Sequence, residues 1–252
     1  MDVGRCFRDA WGLFRADMGP LAVTALVAAV IVGVANLVVG LAIGGGLAAV
    51  DAGGFRGLAF GSAFLASLVL LVISVLVYAW MYAVTFRMIL RRVRERRAAQ
   101  YADLQELDQI GAFASAAVVL GIIVGIGYLL LVIPGLILTT IWLYALPLIG
   151  DRGLGLSEAM AQSREMAARP GLMTTFATWL VGAIVVGVVV GLLSIIPVVG
   201  VIIGLVAAPF GVAYVLSMYF QARGEGHLVD AALGQAPPSG GGSAAPPGGQ
   251  AG

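Results

Sequence analysis

The chain has 252 residues, 61% of them hydrophobic and 11% charged, with a formal net charge of +1 and a mean hydropathy of +1.04. Soluble domains are about one-quarter charged, so the expected solvent is a lipid bilayer, and nothing in the net charge points to a nucleic acid. The single cysteine, Cys6, excludes an internal disulfide, and the fourteen basic residues are all arginine, which removes any Walker A or Schiff-base lysine. With the excess of Ala, Gly and Val, this composition points to a GC-rich bacterial coding sequence.

Residues 1–20 place Val3, Phe7, Ala10, Trp11 and Phe14 at the spacing of one helical face, with Arg5, Arg8 and Arg15 among the rest. The pattern predicts an amphipathic helix lying in the headgroup layer. Asp2, Asp9 and Asp17, and the long apolar run beyond, argue against a cleavable signal. Leu21–Ile43 carries no charge and is long enough to span a core that needs about 20 helical residues. Gly44 to Gly46, Asp51, Gly53, Gly54 and Arg56 predict a loop. Phe64–Phe86 returns, with Tyr78, Trp80 and Tyr82 where an aromatic belt is expected, and the helix continues into the arginines from Arg87 to Arg97.

A third span is predicted at Gly111–Val132 and a fourth at Gly135–Ile149. The fourth rises only about 22 Å as a helix, short of a core of about 30 Å, so a thinned membrane, an extension past Pro134 and a re-entrant path all stay open. Leu156, Ala159, Met160, Ser163, Met166 and Ala167 share one face of an amphipathic segment within 151–170. Leu172–Ile195 and Val198–Met218 are spans five and six, joined at Ile196-Pro197. Residues 224–252, rich in Pro, Gly and Ala, predict a disordered tail. The expected fold is all-α: a polytopic helical membrane protein with an interfacial helix over 1–20, about six transmembrane helices over 21–223, and that tail.

Thirteen of the fourteen arginines fall on one side of this topology, with Arg56 on the other. The positive-inside rule then places both termini in the cytoplasm and the chain in the bacterial inner membrane. Units of about 111–149 and 172–218 read as a parallel repeat: Gly125 aligns with Gly187, Pro134 with Pro197, and Pro147 with Pro209. Chance matches among glycine and proline, common in membrane helices, are the competing reading.

Broken helices at matching positions of two repeats can mark a transport site, which makes Pro147 and Pro209 candidates with Thr139, Thr140 and Ser217 nearby. Against this, proline often only kinks a membrane helix, and no ionisable acid or base lies inside any predicted span, where proton-coupled carriers need one. Arg91, Arg92, Arg94, Arg96 and Arg97 form a candidate site for anionic lipid headgroups, or a topology determinant partly neutralised by nearby acids. The only histidine, His227, adjoins the tail, so neither a His-based triad nor an HExxH zinc site can form. No catalytic residue, cofactor or metal is expected.

Pro134-Gly135, Trp142, Pro147, Asp151, Glu158 and Ser163, in the string from Ile133 to Glu165, resemble the membrane domain of the glycerophosphoryl diester phosphodiesterase family and related multi-pass bacterial proteins. The resemblance covers about residues 5–220. Family members that carry the phosphodiesterase place it in a soluble barrel with histidine and acidic metal ligands, and with one histidine, His227, this chain has no catalytic residue to which that resemblance carries over. The expected function is a non-catalytic scaffold or accessory component of the cytoplasmic membrane, contacting the bilayer, anionic lipids, and further copies or another membrane protein. The alternative is a permease or lipid-handling protein with a site between the repeats near Pro147 and Pro209.

Overall fold

The computed structural model describes residues 2–51, 56–104, 110–195 and 197–235. Ten α-helices run through these residues: α1 (Val3–Ala16), α2 (Met18–Asp51), α3 (Arg56–Glu95), α4 (Ile110–Leu130), α5 (Val132–Ile141), α6 (Ala145–Arg152), α7 (Leu156–Ala168), α8 (Leu172–Leu193), α9 (Pro197–Ala222) and α10 (Gly226–Ala232). Among the described residues, Met18–Leu41, Phe64–Glu95, Gly111–Leu130, Val132–Arg152 and Leu172–Leu193 are long and apolar enough to cross a bilayer, and Val206–Ala222 adds a shorter apolar stretch within α9. The chain is a multi-pass helical membrane protein. In lipid every backbone polar group needs an internal partner, which is why the expected loop at Gly44 is helix as far as Asp51.

Among the described residues, most buried apolar side chains of the spans lie toward one end. The main core takes Leu21 from the start of α2, Ala83–Val93 from the end of α3, Phe113–Leu120 from α4, Tyr144–Ile149 and Val212–Phe220, all toward the arginine-rich end. Toward the other end, Leu41 is 68% exposed, Leu65 63% and Leu192 64%. In a bilayer those surfaces meet lipid, so the helices hold together chiefly through their arginine-side halves.

Three hairpins make up the bundle: α2–α3, α4–α5 and α8–α9. The α4–α5 turn is a single residue, Leu131, and it works because Gly135 leaves room for the Tyr128 ring. A Cβ at Gly135 would lie 2.5 Å from that ring. Pro134 sits in the first turn of α5, where its missing N–H costs nothing. The fourth span does not break at Pro147 as expected. It breaks at Trp142–Tyr144, and Pro147 lies in the first turn of α6. A proline ring excludes the carbonyl four residues earlier, here Leu143, so the break falls upstream of its cause. Ser163 of α7 caps both sides of the break: its Oγ donates to the Ile141 carbonyl at 2.8 Å and accepts from the Tyr144 N–H at 3.1 Å. By contrast α9 runs unbroken through Pro209, so the aligned prolines play different parts in the two units.

The helix over residues 3–16 forms as expected, with Asp2 as its N-cap through the Arg5 N–H. It buries Cys6, Asp9, Ala10, Leu13 and Phe14, packs along α9, and leaves Trp11 52% exposed. The expected disordered tail is corrected at its start: Gly226–Ala232 is a helix that buries Val229 and Asp230. The rest of that expectation, from residue 236, lies outside the described residues.

Candidate functional site

Between α4 and α8 the bundle forms an open-sided cavity of about 620 Å³, with Tyr82 and Phe86 of α3 also in its lining. Leu120, Gly121 and Val124 line it from α4, and Gly182, Ala183 and Gly187 from α8. Trp142, Leu146 and Pro147 close one wall, and Gly211 and Tyr214 another. No charged side chain lines it. Along α8 the lining extends from Trp179 to Val190, about 16 Å of helix rise. Its floor is built by Tyr214, whose hydroxyl donates to the Thr178 carbonyl at 2.7 Å while its ring covers Gly182. A Cβ at Gly182 would overlap that ring, whereas Gly121 and Gly187 face open space. These three glycines therefore divide into one that admits a neighbour and two that widen the cavity.

The arginine-rich end below this floor is closed by ion pairs. Asp151 at the end of α6 accepts from Arg94 Nε at 2.9 Å and Nη2 at 2.7 Å, and from the Tyr219 hydroxyl at 2.7 Å. Arg223 Nη1 lies 3.7 Å from the same carboxylate and donates to the Tyr219 oxygen at 2.8 Å. Glu225 completes the set, 2.7 Å from Arg94 and 2.6 Å from Arg223. Two cations and two carboxylates thus join α3, α6 and the turn between α9 and α10, with Arg94 and Arg223 stacked over Phe220 and Tyr219. Bidentate, charge-assisted contacts of this kind are the strong end of the hydrogen-bond range.

The arginine cluster is largely committed to protein partners. Arg92 pairs with Asp17, which also accepts from the Ala99 N–H at 3.1 Å and so joins the α1–α2 corner to α3. Arg91 and Arg97 meet Asp103 at 2.8 and 3.1 Å, and Arg94 is taken by Asp151. Arg96, at φ 54°, ends α3 as the member with no carboxylate partner among the described residues. A second ionic joint ties the termini. Arg5 Nη2 meets Asp230 of α10 at 2.7 Å and Arg5 Nε lies 3.6 Å from the buried Asp9. Burial pushes the Asp9 carboxyl up, with Arg5 opposing and Asp230 adding to the rise. Burial likewise pushes the Cys6 thiol up to about 11.

Of the residues singled out by sequence, Thr139, Trp142 and Pro147 reach the cavity, Pro134 and Gly135 build the α4–α5 turn, and Ser163 caps the break. Glu158 is exposed in the first turn of α7, and Asp151 anchors the ionic closure. Pro197 opens α9 and Pro209 is buried within it, outside the cavity lining. Ser217 and the two threonines are occupied locally: Ser217 Oγ bonds the Cys6 carbonyl at 3.0 Å, and Thr139 and Thr140 bond carbonyls one turn back. Sequence reasoning missed Arg223, Glu225 and Tyr219. The available signal was that twelve of the thirteen acids, all but Asp51, share the side of thirteen arginines, which foretells pairing. The chain matches no protein-family model, no curated protein and no solved structure. The resemblance to the phosphodiesterase membrane domain thus rests on the motif residues alone.

Proposed function

We propose that the protein is a non-catalytic lipid-handling protein of the bacterial cytoplasmic membrane, with both termini in the cytoplasm and an acyl chain as the occupant of the α4–α8 cavity. One observation carries this reading: a space of about 620 Å³ lies between the two hairpins with no charged side chain in its lining. Ligand cavities run from about 300 to 1,000 Å³ and are mainly apolar, and an acyl chain entering from the bilayer exchanges one apolar surrounding for another without desolvating a polar group. An ionic or strongly polar cargo would meet no counter-charge here. The scaffold reading draws on free amphipathic faces at the cytoplasmic end, but α1 spends its apolar face on α9, which favours the lipid-handling alternative.

Native mass spectrometry of the protein extracted gently from its own membrane tests the proposal. Gly121→Leu and Gly187→Leu fill the cavity from positions where an added Cβ meets nothing within 4 Å. The expected result is a stoichiometric lipid on the unaltered chain and its loss from both variants. A bare chain, or the same lipid retained by both variants, rejects the reading.

A further inference from the structure

The outer part of α2 carries a polar side chain where lipid is expected. Asn36 lies in the outer half of the apolar span Met18–Leu41 and is exposed. Its Nδ2 donates to the Val32 carbonyl at 2.8 Å, which leaves the amide oxygen and one N–H without a partner among the described residues. A carboxamide has two donors and an acceptor with two lone pairs, and hydrocarbon satisfies none of them. Around it, Leu26, Ala29, Gly33, Asn36 and Gly40 repeat at alternating steps of three and four and are all exposed. That is the seam spacing of a left-handed helix pair. Gly33 and Gly40 meet nothing within 4 Å, so a second backbone can approach closely. The face of α2 with Ala28, Val32 and Ala35 is the less exposed one and lies about a third of a turn round the helix from the seam, which stays exposed beside the bundle.

We propose that this seam is the docking surface for a second copy of the chain. Every copy inserts in the membrane with one orientation, so two α2 helices related by a two-fold axis along the membrane normal run parallel in register. Asn36 then faces Asn36 of the other copy at equal depth, and the amide is self-complementary: each oxygen accepts from the other's free N–H. An isologous contact of this kind closes at two subunits. Asparagine amides join membrane helices, and glycines at the contact let their backbones approach.

The test uses the full chain in its native membrane, with cysteines placed at Ala29 on the seam and at Val69, which is 56% exposed on α3. Cys6 is buried and stays in place. Oxidation is expected to yield a covalent dimer from Ala29→Cys and little from Val69→Cys. In bilayers, Asn36→Leu should raise the dimer dissociation constant by roughly tenfold or more, the scale of lost interhelical amide bonds. Since Asn36 holds no other element, that variant keeps its helix content. Equal yields at the two cysteine positions, an unchanged dissociation constant in Asn36→Leu, or capture of a different polypeptide at position 29 each overturn the proposal.

Discussion

Neutralising Asp151 separates a structural ionic closure from an ornamental surface pair. In Asp151→Asn the side chain keeps its shape, but Arg94 loses a bidentate carboxylate at 2.9 and 2.7 Å, and Arg223 loses a partial counter-charge at 3.7 Å. Glu225 remains as the sole carboxylate between two cations. The Asp151 side chain is 5% exposed, whereas that of Arg94 is 33% exposed, so solvent screens one partner and not the other. Breaking a fully buried pair costs about 3–5 kcal/mol, and an exposed pair about 0.2–1 kcal/mol. The half-buried geometry places the loss at about 2–3 kcal/mol. A double-mutant cycle with Arg94→Met, read by equilibrium unfolding in mixed micelles, isolates the pair. A coupling energy of about 1.5 kcal/mol or more is expected, because a charge-assisted bidentate contact lies near that value. A coupling below about 0.5 kcal/mol would mean that the cluster behaves as screened surface charge, and the closure of the arginine-rich end would need another cause.

Other outcomes follow from the same geometry. Gly182→Ala drives a Cβ into the Tyr214 ring and should cost about 1–3 kcal/mol by overpacking, while Gly187→Ala should be close to neutral in the same unfolding assay. Ser163→Ala removes the cap shared by Ile141 and Tyr144 and should cost about 1–2 kcal/mol, with faster hydrogen exchange at the Tyr144 amide. The Cys6 thiol, raised from 9.0 to about 11, stays protonated in the fold while the unfolded chain ionises. Its contribution is therefore fully present below pH 9 and lost as pH rises toward 11, and Cys6→Ala should flatten the stability profile across that window. Cysteine placed at Gly53 should react with an impermeant reagent from outside, and at Ala99 or Ala161 should not; the reverse pattern would overturn the orientation.

How much of this was legible in the sequence varied with the range of the interaction responsible. The spans at 21–43, 64–86, 111–132 and 172–195 could be read directly, because burial in lipid demands a run of uncharged residues, a local property. The α1 helix was legible from its spacing, but its buried set was not: Trp11 shares a periodicity with Phe14 and Phe7, and only the position of α9 decides that Leu13 and Asp9 turn inward instead. The break in the fourth span was placed at Pro147, where proline stands. It occurs at Trp142–Tyr144, because the ring displaces a carbonyl upstream and because Ser163, on a helix still to come, supplies the caps. The arginine cluster shows the same limit. Sequence leaves Arg91–Arg97 open between lipid headgroups and partial neutralisation by nearby acids, and it does not show which acids: Asp17, Asp103 and Asp151, from three separate segments, take four of the five.

By itself, then, the sequence determined the solvent, the helical class and the approximate span limits, since each follows from composition and periodicity over some twenty neighbouring residues. Tertiary structure alone decided which glycines admit a neighbour and which leave a void. Gly182 and Gly187 stand on one helix with the same chemistry, and they differ only in whether Tyr214 of α9 lies opposite. Packing partners distant in the chain set that difference, and local pattern holds no record of them.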